Sequence, residues 1–104
     1  MDMQLDGKRA LITGSTYGIG YAIAEALAKE GANVVITGRS QIRVDEAIDK
    51  INDLDRKTAP IGIVADCTTR EGCESVFNKI SEVEILINNL GVYERKPFFE
   101  IEDG

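Results

Sequence analysis

The sequence predicts an α/β fold, a doubly wound parallel sheet with its strands in the order 3-2-1-4. Three observations carry this. Short β-branched runs alternate with stretches of helical periodicity along the chain. The run Asn33 to Thr37 (NVVIT) shows no polar alternation, as expected of a strand covered on both faces. A glycine-rich segment, Gly14 to Gly20, joins the first strand to the first helix. At 104 residues the chain is one small unit, so residues 1–104 are read as part of a single domain.

The elements follow in order. Lys8 to Thr13 (KRALIT) is a strand that ends in glycine. From Ile19 the residues Ile19, Ala22, Ile23, Ala26 and Leu27 form one helical face. Gly31 ends that helix as a left-handed C′ residue. After the second strand, Ser40 is the expected N-cap of a helix whose stripe is Val44, Ala47, Ile48 and Ile51. Ile61 to Ala65 is a third strand. Thr68 and Glu71 have the spacing of a capping box, opening a helix with Cys73, Val76, Phe77 and Ile80 inside. Glu84 to Asn88 (EILIN) is the fourth strand.

Right-handed crossovers place the first two helices on one face of the sheet and the third on the other. The switch point then lies between strands one and four. Ligands of such sheets bind there, at the carboxyl ends of the strands, and the glycine-rich segment sits at that spot. It reads Thr13-Gly14-Ser15-Thr16-Tyr17-Gly18-Ile19-Gly20. Gly14 permits a tight exit from the strand, Gly18 offers no side chain against an approaching pyrophosphate, and Gly20 lets the helix pack closely. The first-turn N–H groups and the helix dipole favour a phosphate. A flexible strand-to-helix loop is the alternative. The strand before the segment and the amphipathic helix after it favour a Rossmann-type dinucleotide site.

The segment Thr-Gly-x-x-x-Gly-x-Gly resembles the cofactor fingerprint of the short-chain dehydrogenase/reductase family, with three residues between the first two glycines. Asn88-Asn89-Leu90-Gly91 is similar to that family's Asn-Asn-Ala-Gly motif, with Leu90 in place of alanine. Val64-Ala65-Asp66 is similar to its adenine-side aspartate motif. The resemblance covers residues 8 to 91. It implies that Ser15 and Thr16 lie beside the adenosine ribose and its phosphate, and that Ile19 gives its N–H to the pyrophosphate. It implies that Asp66 accepts from the adenine amino group with Cys67 beside it, and that Asn88 and Gly91 line the adenosine and ribose side. Asn88 would also tie strand four to the glycine turn. An acidic residue near a helix start and a structural amide clamp are the plainer readings of Asp66 and of Asn88 with Asn89.

Cofactor choice turns on the end of strand two. Gly38-Arg39-Ser40 stands where NAD-selective enzymes carry an acidic residue. Arg39 can pair with a 2′-phosphate by charge-assisted hydrogen bonds, which favours NADP over the alternative, NAD. Many NADP-using relatives carry a second basic residue just before the second glycine, where this chain has Tyr17. A solvated Arg39 without a specific role is the competing reading.

The resemblance implies hydride transfer between a nicotinamide and a carbonyl or alcohol, using a Tyr-x-x-x-Lys pair, a serine and an asparagine. No Tyr-x-x-x-Lys occurs in the chain: Tyr93 and Lys96 are three apart, and Lys96 precedes Pro97, which disfavours a helix there. No catalytic residue is therefore assigned. The chain reads as the cofactor-binding front of a longer reductase, truncated after strand four. An open edge on that strand, and exposure of Ile85 and Ile87 or their alternates on the face behind the third helix, predict a homo-oligomer.

Composition removes other classes. The net charge is −6 with interleaved signs, so no basic patch for nucleic acid or an anionic membrane is expected. There is no membrane-length apolar run and no signal-peptide pattern at Met1 to Lys8. Cys67 and Cys73 fit neither a CxxC nor a zinc pattern, and the chain has no histidine. A reduced, cytoplasmic protein is expected, with no metal. Two other readings stay open: a non-catalytic nucleotide-binding module, and an oligomerising structural remnant.

Overall fold

A computed structural model describes residues 6–54, 59–80 and 82–89. Four strands, β1 (Arg9–Ile12), β2 (Asn33–Gly38), β3 (Ile61–Val64) and β4 (Ile85–Ile87), alternate with α1 (Gly18–Lys29), α2 (Gln41–Leu54) and α3 (Arg70–Lys79). The sheet is parallel throughout and its order is β3-β2-β1-β4. This is the expected topology. Register is set so that Ile12 stands beside both Ile36 of β2 and Ile87 of β4. β1 and β4 thus end level, while β2 and β3 run on together to Gly38 and Val64.

Period-two alternation divides the core into two layers. Ala10, Ile12, Val34 and Ile36 face α1 and α2, where they meet Ala24, Ala28, Ala47 and Ile51. Leu11, Val35 and Ile63 face α3 and meet Cys73, Val76 and Ile80. Leu11, Ile12, Val34, Val35 and Ile36 are fully buried, each stabilising the fold by about 1.5–3 kcal/mol.

Two expectations are corrected here, and one open alternative is decided. The buried face of α1 is Gly20, Ala24 and Ala28, with Ile23 and Leu27 packed at its flank, while Ile19 is 73% exposed. Small residues let α1 sit close on the sheet, which a stripe of bulky side chains would prevent. The N-cap of α3 is Thr69, not Thr68: its hydroxyl accepts the Gly72 N–H at 3.0 Å. Thr68 turns its hydroxyl to Asp66 instead. Ile85 and Ile87 pack on the α1 side and Leu86 on the α3 side, all three half-buried.

Other local signals hold. Ser40 caps α2, its hydroxyl accepting the Arg43 N–H at 3.3 Å, and Val44, Ala47 and Ile51 are buried. Gly31 follows α1 with φ 95°, the left-handed conformation that closes the helix. Among the described residues no helix is long and apolar enough to cross a membrane.

Candidate cofactor site

A cleft of about 310 Å³ opens at the carboxyl ends of the strands. One wall is the turn after β1, with Gly14, Thr16, Tyr17, Gly18 and Ile19; a second is the end of β2, with Thr37, Gly38 and Arg39. Residues after β3, Ala65 to Thr68, and Asn89 after β4 complete it. The ends of all four strands therefore contribute to one concavity.

The glycine turn is fixed by geometry rather than left loose. Gly14 and Gly18 have φ of 61° and 65°, a region that side-chain-bearing residues rarely adopt. Nothing lies within 4 Å of where a Cβ on Gly18 would stand, so the backbone there faces open space. Gly20 is the opposite case, for a Cβ would come within 2.2 Å of the Gly14 carbonyl oxygen. The Asn89 amide donates to that same oxygen at 3.2 Å, tying β4's exit to the turn. Thr13 donates its hydroxyl hydrogen to the Asn88 Oδ1 at 3.2 Å, a second tie between the two strands.

Beneath the turn lies a buried hydroxyl pair. Ser15 is fully buried; its hydroxyl donates to the Ile12 carbonyl at 2.7 Å and accepts the Thr37 N–H at 3.0 Å. The Thr37 hydroxyl accepts the Gly14 N–H at 3.1 Å and donates to the Ile12 carbonyl at 3.3 Å. These bonds hold the cradle to β2 and give the buried Ser15 and Thr37 hydroxyls their partners.

The N-terminus of α1 differs from those of α2 and α3. Its N-cap is Tyr17, whose side chain makes no capping hydrogen bond, whereas Ser40 and Thr69 cap the other two; like α2, it has no acidic residue in its first turn. Among the described residues the first-turn N–H groups thus have no side-chain acceptor, beside the open space at Gly18. An anion fits that position.

At the other rim, Asp66 Oδ1 accepts both the Thr68 N–H, at 3.0 Å, and the Thr68 hydroxyl. These bonds, with the Arg39 charge as a smaller contribution, hold the Asp66 carboxyl below the usual carboxylate range. Oδ2 has no hydrogen-bond partner among the described residues and remains an acceptor. Cys67 forms the floor. Burial, then the neighbouring Cys73, pushes its thiol up to about 11. Both thiols are free and buried; Cys67 donates to the Thr37 hydroxyl and Cys73 to the Cys67 carbonyl.

Of the residues expected from sequence, Gly14, Thr16, Gly18, Ile19, Arg39, Asp66 and Cys67 come together in the cleft. Ser15, Gly20 and Asn88 do not line it. Ser15 and Gly20 shape the turn from behind, and Asn88 joins β4 to β1. Gly91 lies outside the described residues, as do Leu90, Tyr93 and Lys96. Thr37 also lines the cleft, and it carries a signal in the sequence: a polar residue closing an apolar strand.

Comparison with known proteins decides the family. The family model for short chain dehydrogenases matches residues 8–104. The chain belongs to the short-chain dehydrogenase family. It is 45% identical over 103 residues to the uncharacterized oxidoreductase YvaG of Bacillus subtilis, covering 99% of this chain and 39% of that protein. It is 32% identical over 101 residues to the 5-keto-D-gluconate 5-reductase of Escherichia coli, covering 95% of this chain and 40% of that one. Among solved structures, the L-sorbose reductase of Gluconobacter frateurii, complexed with NADPH and L-sorbose, matches with a TM-score of 0.77. That match has 38% identity and covers 99% of this chain and 40% of the reductase. The chain thus spans about two fifths of the length of these relatives.

Proposed function

We propose that this chain is the NADP(H)-binding part of an oxidoreductase that interconverts a carbonyl and an alcohol. The observation that carries the cofactor preference is the rim at the end of β2. Arg39 stands there, and any side chain at Gly38 would first have to displace the Thr16 methyl. A Cβ on Gly38 would come within 2.5 Å of the Thr16 methyl and 3.4 Å of Val44. The rim therefore presents a guanidinium to a 2′-phosphate and no carboxylate to repel it.

The other parts of the cleft suit the rest of such a cofactor. The uncapped first turn of α1, with Ile19 in it, donates N–H groups to the diphosphate, which approaches through the open space at Gly18. Asp66 Oδ2 accepts from the adenine amino group, and its low pKa keeps it ionised for that role. Thr16 lies between these two contacts and borders the ribose. The nicotinamide, when bound, supplies or accepts the hydride. The similarity to keto-sugar reductases supports a carbonyl and alcohol pair. By itself the chain contains no Tyr-x-x-x-Lys, so it binds cofactor without turning over substrate.

Thermal unfolding with NADPH and with NADH tests this. Ligand at 100 times its Kd stabilises the native chain by about 2.7 kcal/mol. At equal concentration NADPH is expected to raise the midpoint more than NADH, and Arg39→Glu to reverse the order. A larger shift with NADH in the unaltered chain overturns the role of Arg39. No shift with either leaves a structural remnant that binds no dinucleotide.

A further inference from the structure

We propose that Arg43 is a second specificity-determining cation for the cofactor's 2′-phosphate, held at the cleft by the Tyr17 ring. This rests on the NADP reading of the cleft given above. The Arg43 guanidinium lies over the Tyr17 ring, 5.4 Å from its centroid. Tyr17 is 68% exposed and lines the cleft alongside Gly38 and Arg39. A side chain of α2 thereby touches a residue that lines the cleft, although Arg43 itself does not line it before cofactor binds.

The position of Arg43 is electrostatically poor without a ligand. It is the third residue of α2, where the positive end of the helix disfavours a cation. Among the described residues it has no carboxylate partner, for the ion pairs there are Lys29 with Glu25 and Arg70 with Glu74. Lys50 is turned to a different ring, that of Tyr21. The contact with Tyr17 orients the guanidinium but supplies no counter-anion, so its N–H donors stay available. Ser40 fixes the backbone of this turn through the Arg43 N–H.

A 2′-phosphate provides the missing charge. It carries close to two negative charges and several acceptor oxygens, more than Arg39 alone neutralises. Two guanidinium groups reaching the rim from the end of β2 and from α2 form a clamp. In this arrangement Tyr17 is a positioning residue: it acts on the phosphate only through Arg43.

The test is the ratio of NADPH to NADH affinity, measured by titration on the full 104-residue chain. The two ligands differ only in the 2′-phosphate, so loss of folding weakens both while loss of the clamp weakens one. Arg43→Gln is expected to lower the ratio about tenfold, or about 1.4 kcal/mol, with NADH binding unchanged. Arg43→Lys should keep most of the preference. Tyr17→Leu should lower the ratio about threefold, and not at all once Arg43→Gln is present. An unaltered ratio in Arg43→Gln, while Arg39→Gln abolishes it, overturns the role of Arg43 and leaves the NADP reading standing. An unaltered chain with no preference for NADPH removes both.

Discussion

Replacing Gly20 by alanine should destabilise the fold by steric collision, whereas the same change at Gly18 should cost only backbone strain and abolish binding. At Gly20 the new Cβ would stand 2.2 Å from the Gly14 carbonyl oxygen, roughly 1 Å inside van der Waals contact. Relief requires α1 to move off the turn or the carbonyl to rotate, and rotation breaks the Asn89 bond of 3.2 Å. Overpacking of this kind costs about 1–3 kcal/mol, and a lost hydrogen bond about 0.5–1.5 kcal/mol. Alanine's better helix propensity offsets up to about 1 kcal/mol. The balance is a loss of about 2 kcal/mol. With an m-value of about 1–3 kcal/mol per molar urea, the unfolding midpoint falls by about 1 M. At Gly18 the φ of 65° strains an alanine by about 1–2 kcal/mol but nothing is struck, since the space beyond is open. The methyl instead occupies the path of the diphosphate. Urea titration followed by circular dichroism, with NADPH titration alongside, separates the two. An unchanged midpoint in Gly20→Ala, or undiminished NADPH binding in Gly18→Ala, would refute the reasoning.

Two further outcomes follow from the buried groups around the cleft. Thr37→Val removes the acceptor of the Gly14 N–H and should cost about 1–3 kcal/mol in urea unfolding, whereas Thr37→Ser should cost much less. A larger loss in Thr37→Ser than in Thr37→Val would show that the methyl, not the hydroxyl, matters. Cys67 should react slowly with iodoacetamide at pH 8. Its thiol lies near 11 against 9.0 for an unperturbed group, so the thiolate is about a hundredfold rarer than in the unfolded chain. The rate should climb about tenfold per pH unit towards pH 11, and NADPH should slow it further because Cys67 lines the cleft. Mass spectrometry reading equal rates for native and unfolded chain would contradict this assignment.

Much of this was legible in the residues, for reasons that differ from place to place. The order β3-β2-β1-β4 follows from parallel strands and right-handed crossovers, and NVVIT announced the central strand because only a doubly covered strand tolerates that run. The face of α1 was misjudged because apolarity ranks Ile19 above Gly20 and Ala24, while close approach to a sheet selects for small size. The α3 cap shifted by one residue because Thr68 and Thr69 are both competent, and only the turn around Asp66 decides between them. Ser15 was expected at the ribose. Its place in the turn was clear from sequence, but whether its side chain pointed into the cleft or into the sheet was not. The contact of Arg43 with Tyr17 joins residues from two elements and leaves no trace in local pattern.

The central claim is that the cleft at the carboxyl ends of β1, β2 and β3 holds NADP(H), with its diphosphate on the first turn of α1. The most direct test is the backbone amide spectrum of the chain titrated with NADPH. The account predicts that the largest shifts fall at Gly18 to Gly20, with a second group at Arg39 and a third at Asp66 to Thr68. Shifts confined to the opposite end of the sheet, with Gly18 and Asp66 unmoved, would contradict it.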